Sequence, residues 1–317
     1  MTKGFNKKIF AIMIVLILML NGCATEKQEK TSEAKLKVYT SFYPIYFTAE
    51  QIGGDRIELH SIIPNGSEPH EYEPSMREIA DVESGDIFIF NGAEMEPWAE
   101  KLSDNLEKKG IKSINLSQHV ELIKAEEDDG HDEHGEDDDH DHGLYDPHIW
   151  LDPINMDMMA YQIMQEFSKL DKANENFYKE NYADFSEKIK ELDLAYSSQL
   201  ENRNRDTILV SHQAFSYLAK RYGLKQIAVT GITPQEEPSP KTLAKLLDTI
   251  ENEKFEFIFL ETLASPKLVE LLAKEGDLKI LELNPIAGLT KEQQDKKENY
   301  FSLMEQNLEN LKKALVK

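Results

Sequence analysis

The sequence predicts an α/β protein of two βα lobes with parallel-type sheets, joined by a long rigid backbone helix. Three observations predict it. Short apolar runs of strand character alternate with helical stretches from residue 36 to about residue 170. Over 175–202 that alternation gives way to Phe177, Tyr178, Tyr182, Phe185, Ile189, Leu192, Leu194, Tyr196 and Leu200 at helical spacing, with no Gly or Pro. At ~1.5 Å per residue such a helix reaches roughly 40 Å. Strand–helix alternation then restarts at residue 207, and an ordered length of about 280 residues exceeds what one core commonly serves. A long core helix of a single domain is the plainer reading of 175–202; the restart favours a strut between two lobes.

The chain ends carry their own signals. Lys3, Lys7 and Lys8 precede an apolar run over 9–20, too short for a comfortable permanent span and typical of a secretory signal. Cys23, the only cysteine, follows Leu20-Asn21-Gly22 and resembles the lipidated position of a bacterial lipoprotein box. The expectation is a signal peptide over 1–23, a polar tether over 24–35 and an extracytoplasmic protein anchored to the membrane through Cys23. A single cysteine excludes an internal disulfide. The formal charge of −23 argues against nucleic acid, whose phosphates call for clustered Lys and Arg.

Element by element, 36–42 alternates as a strand, 45–52 is helical, and Gly53-Gly54-Asp55 turns into a strand over 56–63. His60 inside that strand is expected to be a packed or surface residue. The loop 64–75 is rich in turn formers and carries His70 at the carboxyl edge of the strand, where open α/β sheets place ligands. A helix to Gly85, a buried strand over 86–92, a helix from Pro97 to about 109 and a strand over 111–116 complete the first lobe, with His119 at the surface. Further on come a helix over 155–170, the long helix, and a strand ending at Ser211-His212. Strands over 226–232, 255–261 and 278–284 and helices over 240–251, 265–276 and 291–317 follow. The lobes are bounded at 36–173 and 203–317, with the linking helix at 174–202.

Between the halves lies EEDDGHDEHGEDDDHDH (126–142), eleven carboxylates and four histidines in seventeen residues with nothing apolar to bury. Such a segment is expected to be a mobile, exposed loop, acting either as a weak collector of a soft-to-borderline divalent cation or as a plain acidic spacer. It runs into Asp146-Pro147-His148-Ile149-Trp150, where a stiff step holds His148 against residues that want a core. His70, His148 and His212 thus stand out by position, each at a strand-to-loop step. No Gly-rich phosphate loop, H-E-x-x-H, G-x-S-x-G or zinc-finger pair occurs.

GSEPHEYEPS (66–75), DIFIFNGAEMEPW (86–98), the acidic histidine loop, DPHIWLDP (146–153), SHQAFSYLAKRYGL (211–224), EEPSPKTL (236–243) and ETLASPKL (261–268) together resemble the substrate-binding lipoproteins of ABC transporters for divalent metals, cluster A-I, of the zinc-uptake type. The resemblance implies a metal site in the cleft between the lobes with His70, His148 and His212 as ligands, Zn²⁺ as cargo, an ABC permease as partner, and a monomer that is not an enzyme. In manganese-type relatives the third position is usually glutamate, so His212 points to zinc, in line with imidazole suiting zinc and carboxylate suiting manganese. Three imidazoles leave one place in a tetrahedral shell. The step after the last strand offers Asn284 and Ala287 where an acid might be expected, so water, Glu261, Glu282 or Asn284 remain as the fourth donor. Manganese uptake is the alternative within the family. A zinc hydrolase is the alternative from another class, since three histidines and a water also make a catalytic site. A surface adhesin would also suit the lipid anchor, although no adhesive repeat occurs.

Overall fold

A computed structural model of the protein describes residues 35–125, 144–235, 238–263 and 265–316. Cys23, the expected signal peptide and the histidine-rich loop lie outside the described residues. The first sheet contains β1 (Leu36–Thr40), β2 (Ile57–Ser61), β3 (Ile87–Phe90) and β4 (Lys112–Asn115) in the order β2-β1-β3-β4, every pairing parallel. Its helices are α1 (Tyr43–Gly53), α2 (Met76–Val82) and α3 (Pro97–Lys108). The second sheet contains β5 (Thr207–His212), β6 (Lys225–Thr230), β7 (Phe257–Leu260) and β8 (Lys279–Glu282) in the order β6-β5-β7-β8, again parallel. Helices α6 (Ser216–Tyr222), α7 (Pro240–Glu253) and α8 (Lys267–Glu275) connect its strands. Both sheets reverse their winding beside the first strand of the lobe, and in such sheets ligands collect at the carboxyl ends of the strands.

Between the sheets run α4 (Pro153–Leu170) and the 25-residue α5 (Glu175–Gln199). Tyr178, Phe185, Ile189, Leu192 and Tyr196 form the buried stripe of α5, which packs along α4 and α1. Near its end the Tyr196 hydroxyl donates to the Met304 carbonyl at 2.6 Å, tying the helix to the C-terminal segment. Leu194, which fits the same helical pattern, instead faces solvent. A continuous apolar cluster joins β1, α1, α4 and α5 to Val210, Phe259 and Leu283 of the second lobe, so the described residues from Leu36 onward make one compact unit.

The expected terminal helix over 291–317 is two helices, α9 (Lys291–Asp295) and α10 (Tyr300–Leu315). The break has a local cause. Lys297 adopts a positive φ of 57°, and Asn299 starts a new helix by accepting from the Ser302 amide in a capping box. The sheets also differ in cohesion. β1 pairs β3 at three positions, whereas β5 pairs β7 only at Val210↔Phe259.

Candidate metal centre

His212 ends β5, while His148 precedes the short turn Ile149–Leu151 that leads into α4. His70 lies in the turn Pro69–Glu71 after β2. The fold brings all three rings together. His148 Nε2 lies 3.2 Å from His70 Nε2 and 3.2 Å from His212 Nε2, and the three ligand atoms fall within 4.8 Å of one another. Donors at ~2.0–2.1 Å from one tetrahedral ion stand about 3.3–3.4 Å apart, so the two close pairs already match an edge of a zinc shell. His148 and His212 are buried and His70 is partly exposed.

The carboxylates behind the rings fix which nitrogen faces inward. His148 Nδ1 lies 2.8 Å from Asp146 Oδ1, which also accepts the His148 amide at 2.9 Å. His212 Nδ1 sits 2.5 Å from Glu261 Oε2, off the line of a straight N–H···O bond, while Glu261 Oε1 accepts the His212 amide at 3.0 Å and the Ser211 hydroxyl. An ionised carboxylate only accepts, so each Nδ1 carries the proton and each Nε2 turns a lone pair toward its neighbour.

Burial holds His70 well below the ordinary 6.5, and the neighbouring His148 and His212 push the same way. Burial lowers His148 too, against the pull of Asp146. For His212, burial also acts downward but is outweighed by Glu261, Glu68 and Asp146, which leave it raised.

The backbone around His148 is held from the second lobe. Tyr217 on α6 donates to the Asp146 carbonyl at 2.8 Å. The fully buried Trp150 donates to the Pro285 carbonyl at 2.7 Å and accepts at its own carbonyl from Tyr300 at 2.8 Å. The space between the histidines is about 10 Å³, lined also by Glu68, Glu261, Leu263, Asn284, Pro285 and Ala287, which is room for one water-sized occupant.

This geometry sorts the candidates for a fourth donor. Glu261 has both oxygens turned to Ser211 and His212, so it holds the His212 ring. Glu282 is exposed, receives the Thr262 hydroxyl at 3.1 Å and does not line the space. Asn284 does line it, but its Oδ1 accepts the Ile286 amide at 2.7 Å and its Nδ2 is a buried donor without a protein partner. His60 stacks on Tyr39 at 4.9 Å, and His119 is exposed; neither joins the cluster.

Sequence reasoning missed Glu68 and the part played by Asp146. A signal was present: Glu68-Pro69-His70 and Asp146-Pro147-His148 repeat one acid-Pro-His step. In both, the acid accepts the backbone amide of its histidine, at 3.2 Å for His70 and 2.9 Å for His148.

A two-lobed α/β fold that brings three imidazoles together around one small space defines a candidate metal-binding class of protein. The chain belongs to the ZnuA family, zinc-uptake complex component A periplasmic, whose family model matches residues 38–314. It is 37% identical over 310 residues to the zinc-binding lipoprotein AdcA of Streptococcus pneumoniae (strain ATCC BAA-255 / R6), covering 97% of this chain and 61% of that protein. Thus the chain spans less than two thirds of that relative's length. It is 33% identical over 308 residues to the high-affinity zinc uptake system protein ZnuA of Bacillus subtilis (strain 168), covering 97% and 96% respectively. The solved Zn(II)-bound ZnuA-like domain of Streptococcus pneumoniae AdcA superposes with a TM-score of 0.77 at 35% identity, covering 90% of this chain and all of that one.

Proposed function

We propose that the protein captures Zn²⁺ outside the cytoplasmic membrane and delivers it to an ABC permease. Its lobes are bounded at 36–173 and 203–317, and His70, His148 and His212 are its zinc ligands. The observation that carries this reading is the pair of 3.2 Å Nε2–Nε2 separations around His148, with carboxylates behind two of the rings. A water fills the fourth place, flanked by the Glu68 carboxylate and the Asn284 amide. Family membership, the names of the relatives and the exposure of one histidine at the edge of an otherwise buried cluster support capture. Attachment through Cys23, a monomeric state and zinc collection by the 126–142 loop belong to the same proposal.

Calorimetric titration of the metal-stripped protein tests it. Zinc should bind one tight site, and manganese should fail to displace it at equal concentration. Deleting 128–142 should leave the tight site and remove weaker binding. Absence of a tight zinc site in the intact chain would sink the reading.

A further inference from the structure

The segment DIFIFNGAEMEPW contains a buried carboxylate that the zinc site does not use. Glu96 opens α3 and is 1% exposed, yet its side chain does not cap that helix. It turns back to the end of β3, where Oε1 accepts the Asn91 amide at 3.0 Å and Oε2 the Gly92 amide at 3.2 Å. The clasped turn is strained. Gly92, Ala93 and Glu94 all have positive φ, of 78°, 52° and 63°. Gly92 also has no room for a side chain, since a Cβ there would come within 1.9 Å of Asn115 Oδ1. Such a turn persists only where its surroundings over-determine it.

The clasp sets the direction of Asn91, which is fully buried. The Asn91 Nδ2 donates to its neighbour's carbonyl at Gly92 and to the Pro147 carbonyl, both at 2.9 Å. Pro147 lies between Asp146, the carboxylate behind His148, and His148 itself. The Asp146 carbonyl is held by Tyr217 of the second lobe. The acid-Pro-His step is therefore pinned from the second lobe by a tyrosine and from the first by Asn91 on its Glu96 clasp. Burial pushes the Glu96 carboxyl up to about 7, against the Ser41 hydroxyl and the amide donors. A carboxylate placed there has work that an apolar residue could not do.

We propose that Glu96 is a positioning residue for the metal centre: through Asn91 it sets where the Asp146-Pro147-His148 step presents the His148 imidazole. This rests on the zinc-capture reading and adds a residue that touches neither metal nor ligand. Removing a group that orients a ligand costs about 10–100-fold in metal affinity.

The test compares the intact protein with Glu96→Gln, Asn91→Ala and the double variant at pH 8. Zinc affinity is measured by chelator competition, and Co²⁺ serves as a visible probe of ligand geometry. Ile250→Val, in the core of the second lobe away from the relay, controls for lost stability alone. Glu96→Gln and Asn91→Ala should each weaken zinc at least about tenfold and shift the Co²⁺ d–d bands. The double variant should be no weaker than Asn91→Ala alone, since Glu96 acts only through Asn91. Ile250→Val should lower the melting temperature and leave affinity and bands in place. Unchanged affinity and bands in Asn91→Ala overturn the proposal, and that variant decides alone should Glu96→Gln not fold. Failure of the unaltered protein to bind zinc overturns the function reading instead.

Discussion

The two buried histidines are held in opposite ways. His148 takes its carboxylate from two residues back, within one tight turn, whereas the Glu261 that meets His212 stands 49 residues away, just past the end of β7. The first arrangement is local and survives small movements of the lobe. The second depends on β5 and β7 staying in register, and those strands share one paired position. The second lobe therefore uses Glu261 twice, to orient the His212 ring and to tie its two central strands through Ser211 and His212.

The largest expected effect treats both lobes alike. His148 stands between the other two rings, so His148→Ala should weaken zinc on the order of a thousandfold, about 4 kcal/mol, with His212→Ala close behind. His70→Ala should lose less, because the ring is partly exposed and a water can take its place. Calorimetry with a competing chelator measures all three. Equal losses at His70 and His148 would contradict the central position of His148.

The next effect separates the lobes. Asp146→Asn should cost about tenfold or more in zinc affinity but little in the stability of the metal-free protein, since an amide oxygen can still accept the His148 amide. Glu261→Gln should cost both, because an amide group cannot accept from the Ser211 hydroxyl, the His212 amide and His212 Nδ1 together. The stability loss should be about 1–3 kcal/mol in denaturant unfolding without metal. A Glu261→Gln protein as stable as the parent would show that the clasp between β5 and β7 contributes nothing.

Protons sharpen the same contrast. His212 is raised in the folded chain, so its contribution to metal-free stability is full below the unfolded value near 6.5 and fades as pH climbs through the folded value. His70 and His148 are lowered, so theirs is present above 6.5 and is lost as pH falls through their folded values. His212 is thus the first ring to hold a proton against zinc as the solution is acidified, and affinity should begin to fall while His70 is still neutral. Glu261→Gln removes the largest upward influence on His212, so the onset should move to lower pH. Zinc titrations between pH 5 and 8 would refute this if the onset stayed in place.

The sequence showed the paired lobes, the long helix and three histidines at strand-to-loop steps, because such steps and helical spacing are local patterns; that the three converge was implied only by the family resemblance. It placed Glu261 near the site yet offered it as a ligand. Only the sheet reveals that Ser211 and His212 claim both its oxygens. Glu68 and Asp146 were visible as a repeated acid-Pro-His step, but the role of such a step emerges only from the amide each acid accepts. The division of the last helix at Lys297 turns on one backbone angle and one capping asparagine, neither of which interrupts an otherwise helical composition.

The smallest expected effect returns to the two sheets. Val38 of β1 and Val210 of β5 occupy equivalent central positions, both fully buried, each between two partner strands. Val38 pairs with Leu59 and Ile87 inside a well-joined sheet. Val210 is the one residue through which β5 pairs with β7, and its strand neighbours Ile208 and Leu209 and its partner Phe259 line an open cavity of about 320 Å³. The cost of removing buried methyl groups grows with the void that remains, and a site next to open space can relax into it. Val38→Ala should therefore cost about 2–3 kcal/mol, and Val210→Ala about 1 kcal/mol less, in denaturant unfolding of the metal-free protein. The reverse order would mean that the single pairing at Val210 carries the second sheet and that the cavity cannot contract.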